Sequence, residues 1–60
     1  MSRYKRLKRL IETTNTVAKV KQIEHVLMHL YNDYKLTERE YMRLDLLCCD
    51  RYNAIQWGGV

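Results

Sequence analysis

Apolar positions recur along this chain at helical intervals, in three blocks. Tyr4, Leu7 and Ile11 share one stripe, with Leu10 on its edge, while Lys5, Arg6, Lys8 and Arg9 fan over the opposite side. At 3.6 residues per turn this reads as a basic amphipathic helix of about ten residues, too short to be stable alone. Val20, Ile23, Leu27, Leu30 and Tyr34 then recur at alternating spacings of three and four, flanked by Val17, Val26 and Tyr31. They predict a second helix from about Val17 to Tyr34. Tyr41, Leu44, Cys48, Tyr52 and Ile55, with Leu47 beside them, give a third helix from about Glu38 to Trp57. A second stripe on that helix, Met42, Leu46 and Cys49, lies about a third of a turn away.

The breaks between the blocks have their own chemistry. Thr13-Thr14-Asn15-Thr16 carries side chains that compete for backbone hydrogen bonds, and the stripe changes phase across it, so a bend is expected. Thr37-Glu38-Arg39-Glu40 is a capping box, with Leu36 and Tyr41 placed as a hydrophobic staple. That predicts a fresh helix start and a short turn around Tyr34-Lys35-Leu36. Gly58 stands where a terminating glycine would follow the third helix. Opposing the turn, the heptad runs from Val20 to Ile55 without a phase change, and no Gly or Pro interrupts it. One long coiled-coil helix from about 16 to 57 is therefore the rival, weakened by Thr37 and Arg51 at inward positions.

The expected fold is all-α: a short basic N-terminal helix plus an antiparallel helical hairpin, dimerising into a four-helix bundle. Sixty residues make one small domain, with residues 1–12 as a separable basic arm and 17–57 as the hairpin. A core of this size supplies only about 3–5 kcal/mol, so a staple is expected. Cys48 and Cys49 are adjacent and point some 100° apart on a helix, which disfavours a disulfide between them and suits a reducing, cytoplasmic setting. Oligomerisation or a stable complex is the remaining staple. The N-terminus lacks the apolar run of a secretory signal, and no stretch approaches the ~18 apolar residues of a membrane span.

Charge changes the picture of function. Seven of the eleven Lys and Arg residues fall in the first twenty-one positions against one acid, Glu12, so that segment carries +6 and the rest −2. Arg3, Tyr4, Lys5, Arg6, Lys8 and Arg9 are the candidate contacts to nucleic acid or to an acidic protein surface. The rest of the chain offers no recognition helix, since the third block carries Glu38, Glu40, Asp45 and Asp50, which would repel DNA. His25 and His29 have the four-residue spacing of a metal pair but lie on the outer face of the heptad, while Cys48 lies inward. No metal or other cofactor is expected. Asp45 beside Cys49 would raise, not lower, the thiol pKa, and no catalytic dyad emerges. A non-enzymatic protein is expected.

The candidate protein interface comprises Tyr31, Tyr34, Tyr41, Met42, Leu46, Cys49 and Trp57, because the apolar surface of the third block exceeds what one neighbouring helix covers. The stretch Leu30-Tyr31 … Glu38 … Tyr41 … Leu44 resembles the helical core of the small cyanobacterial phycobilisome-degradation adaptors, which pair as helical dimers. That resemblance implies a dimeric helical module working by binding; the basic head departs from the family pattern. The leading expectation is a small regulatory protein, an inhibitor or adaptor, that binds another protein through an apolar helical surface and a basic arm. The rival is a dimeric nucleic-acid-binding accessory protein using the basic helix. A protein partner and a second copy of the chain are both expected.

Overall fold

The computed structural model describes residues 2–57, which form three helices: α1 (Arg3–Thr13), α2 (Val17–Asn32) and α3 (Glu38–Trp57). Each helix begins at a hydroxyl that accepts one of the backbone N–H groups left without an intrahelical partner. Ser2 Oγ accepts from Lys5 N–H at 3.3 Å, and Thr16 Oγ1 accepts from Lys19 N–H at 3.2 Å. At α3 the capping box closes in both directions: Glu40 N–H donates to Thr37 Oγ1 at 3.1 Å, and Thr37 N–H donates to Glu40 Oε1 at 3.0 Å. Leu36, just before that cap, is buried, and Tyr41 is half-buried against the same core.

The segment between α1 and α2 breaks the chain as its composition requires. The Thr13 hydroxyl donates back to the Arg9 and Leu10 carbonyls (2.9 and 3.3 Å), and Thr14 then turns to extended geometry (φ −76°, ψ 144°). Between α2 and α3 the chain leaves the helix through a left-handed residue. Lys35 N–H donates to the Leu30 carbonyl (2.8 Å) and Tyr34 N–H to the Tyr31 carbonyl (3.1 Å). Tyr34 sits between them at φ 60°. These two bonds are those of a Schellman termination, with tyrosine where glycine is usual.

Two arginines fix how the helices lie. Arg3 Nη1 donates to the Lys35 carbonyl (3.0 Å), so the start of α1 lies at the α2–α3 joint. Arg51 Nε donates to the Thr14 carbonyl (2.7 Å) and its Nη2 to Asn15 Oδ1 (3.2 Å), so the end of α1 lies beside the C-terminal half of α3. Hence α1 runs parallel to α3, and α2 runs antiparallel to both. α3 is the central helix: α1 and α2 each pack on it and scarcely on one another. The core joins Leu7 and Ile11 of α1, Val20, Ile23 and Leu27 of α2, Leu36 of the joint, and Leu44 and Cys48 of α3.

The all-α expectation and the basic helix followed by a hairpin are observed, and the single long helix is not. Two expectations are corrected. The basic segment is not a separable arm: Leu7 and Ile11 are buried, and α1 is a full wall of the core. Tyr34 continues the heptad in sequence but lies beyond the end of α2, because the Schellman turn swings it out of the stripe. Arg51 weighs against a coiled-coil seam because it has another task, holding the carbonyl of Thr14 and the side chain of Asn15. Gly58 as a helix terminator lies outside the described residues. No helix among the described residues is long and apolar enough to cross a membrane.

Candidate interaction site

The residues expected to contact a partner fall on three separate surfaces. The first is the joint between α2 and α3. Tyr31 and Tyr41 face each other across the hairpin as stacked rings, 4.8 Å between centroids and 16° between planes. An offset stack of this kind adds about 0.5–1.5 kcal/mol beyond area burial, so these two rings brace the hairpin near its turn. Tyr34 does the opposite. It is 95% exposed, and its backbone occupies the left-handed region that disfavours a residue with a Cβ. Beside it an open depression of about 570 Å³ is lined by Tyr31, Lys35, Thr37 and Glu40 among others. The hydrogen bond from Arg3 to the Lys35 carbonyl brings the cationic start of α1 to the same end of the bundle.

The second surface is the outer face of α3. With α1 and α2 both in place, Met42 (57%), Leu46 (64%) and Trp57 (67%) remain exposed, as does Cys49. Met42 and Leu46 floor a shallow depression of about 690 Å³ whose rim includes Arg39 and Arg43. Asp50 borders the opposite end of the stripe, toward α1. The sequence reading singled out the apolar members and passed over this charged rim. The signal was present in the helical wheel, where Arg39, Arg43 and Asp50 all fall on one flank of the stripe.

The third surface is the basic side of α1. Arg3, Lys5, Arg6, Lys8 and Arg9 are all exposed, and the core holds their helix by Leu7 and Ile11. Tyr4, expected among these contacts, instead packs half-buried against the core. The five cations therefore stand on an ordered helix.

Catalytic chemistry finds little to use. Burial, with Glu24, Asp45 and Cys49 adding in that order, pushes the Cys48 thiol up to about 12. Desolvation, then Asp45, Glu24 and Asp50, moves Cys49 in the same direction. Both thiols are protonated and weakly nucleophilic near neutral pH. His25 and His29 are exposed on α2, and no group of three or more metal-binding side chains occurs among the described residues. Leu10 and Val26, which sequence periodicity placed at stripe edges, are exposed, and so is Met28.

The resemblance to phycobilisome-degradation adaptors rests on residue types that amphipathic hairpins commonly share. Compared with known proteins, the chain matches no protein-family model, no curated protein and no solved structure.

Proposed function

We propose that this chain is a small non-enzymatic regulatory protein, an inhibitor or adaptor, that acts by binding another protein at the α2–α3 joint. The observation that carries the reading is Tyr34. An aromatic residue in a left-handed backbone position costs stability in backbone strain, and its ring, 95% exposed, gains no burial within the chain to offset that cost. Tyrosine at such a position suits an anchor that enters a partner's pocket, since its ring buries a large area with few rotatable bonds. Arg3 and Lys35 beside it, and the cations farther along α1, favour a partner whose pocket is rimmed by acidic residues.

Affinity capture from native lysate, with nuclease present, tests this. A protein retained by the wild-type chain and lost with Tyr34→Gly supports the reading; equal retention by both refutes it. The glycine variant suits the purpose because it relieves the backbone and so leaves the fold intact.

A second reading, nucleic-acid binding through α1, is favoured by the ordered display of five cations on one helix. It predicts affinity for duplex DNA or RNA at ~50 mM salt, falling steeply with added salt, and Arg6→Ala and Arg9→Ala each reducing the slope by about one. No binding at the lower salt removes it.

A further inference from the structure

We infer that the outer face of α3 is covered by α3 of a second copy of this chain, the two helices antiparallel about a two-fold axis that passes between Leu46 and Cys49. This goes beyond the proposed function, since it concerns a different surface and leaves the joint free.

The first support is the seam. Met42, Leu46, Cys49 and Asn53, all exposed, recur at spacings of four, three and four along the outer side of α3, with Cys49 and Asn53 at its α2 edge. That is the periodicity by which one helix packs its side chains between those of another. The second support is charge. Arg39 and Arg43, with Glu38, line the depression at one half of the face, and helical spacing puts Asp50 beside the other half. Arg43 and Asp50 are seven positions apart, about 10 Å along one helix, too far to pair within a chain. Antiparallel pairing that sets Leu46 against Cys49 of the second copy brings Arg43 to within about 3 Å of level with Asp50 across the interface. Two-fold symmetry repeats the match, because a contact from residue i to residue j is also a contact from j to i.

The same register sets Met42 against Asn53 and carries the guanidinium of Arg39 to the level of Trp57, where the indole face can receive it. It buries or covers Met42, Leu46 and Cys49 of the stripe and Trp57 beyond it. A parallel pairing does the reverse, setting Arg39 against Arg39 and Arg43 against Arg43. The face is thus self-complementary in one orientation only, which a surface shaped for a foreign helix has no reason to be.

Symmetry then fixes where the other helices go. α1 borders the Asp50–Ala54 flank of α3, and α2 borders the Cys49–Asn53 flank. A two-fold axis perpendicular to α3 leaves each flank on its own side, so both copies of α1 share one face of the dimer and both copies of α2 the other. The cations of the two chains come to stand together.

Analytical ultracentrifugation of the full chain at concentrations up to ~1 mM tests the pairing, this range being chosen because a single helix-to-helix interface falls in the small, weakly bound class. The expected result is a concentration-dependent monomer–dimer equilibrium. Leu46→Asp should abolish the dimer while circular dichroism retains its helical signal, since Leu46 is exposed in the monomer. Arg43→Glu and Asp50→Arg should each weaken association by about tenfold, and the two together should restore it. Monomer throughout the range overturns the proposal, as does a dimer indifferent to Leu46→Asp. Failure of the double variant to recover overturns the antiparallel register. A Leu46→Asp chain that sediments like wild type but loses a captured protein assigns the face to a foreign partner instead.

Discussion

Tyr34 and Arg51 depart from what their spacing announces, and Cys48 follows it. Tyr34 falls on the heptad, yet its backbone leaves the helix at φ 60° and its ring leaves the core. Glycine at that position relieves the strain but loosens the unfolded chain, so Tyr34→Gly should raise stability by about 0.5–1 kcal/mol net, read as a higher melting temperature. Arg51 looked like a defect in a seam; its guanidinium is in fact the hydrogen-bond partner of the extended segment between α1 and α2. Arg51→Ala should cost about 1–3 kcal/mol in urea unfolding, because the partly buried Thr14 carbonyl loses a charged donor. Cys48 has the opposite history: periodicity placed it inward, and it is fully buried. Its thiol is raised from the ordinary 9.0 to about 12 in the folded chain. The unfolded chain therefore releases this proton at lower pH than the folded one. The contribution is whole below about pH 9 and is lost as pH rises toward 12. Within that window stability should fall by about 1 kcal/mol per pH unit from this group, and Cys48→Ala should remove that part of the slope.

At the scale of elements, helix starts were legible and the end of α2 was legible to within a turn. Ser2, Thr16 and Thr37 each carry a short hydroxyl just before an apolar-periodic run, and each caps a helix. The capping box decides between the hairpin and the long helix because its reciprocal bonds satisfy N–H groups that exist only where a helix begins. Thr37→Ala should lower stability by about 1 kcal/mol, detectable as a shifted denaturant midpoint with unchanged slope. The turn around Tyr34-Lys35-Leu36 was expected, but the last residue of α2, Asn32, was not, because a Schellman turn ordinarily announces itself by Gly or Asn and here the residue is Tyr. The role of α1 was misjudged for a different reason. A ten-residue amphipathic helix is unstable alone, but Leu7 and Ile11 gain a wall of α3 that no local reading of residues 3–13 reveals.

For the whole molecule, the sequence made the number of helices and most core positions readable, since both follow from periodicity. It did not reveal which exposed residues share a surface. Seven interface candidates that look like one cluster along the chain divide between the joint, where Tyr31 and Tyr41 brace each other, and the outer face of α3. The charge split likewise changes meaning in three dimensions. The cationic segment is part of the core-forming bundle, its charges are held in fixed relation to the joint through Arg3, and its partner would meet helix and joint together. The central claim is that Tyr34 is kept for binding at a cost to folding. The measurement that tests it most directly is made on Tyr34→Gly: thermal unfolding, alongside capture of the protein that wild type retains after nuclease treatment. A higher melting temperature with loss of capture is the predicted result. Capture equal to that of wild type, at whatever melting temperature, contradicts it.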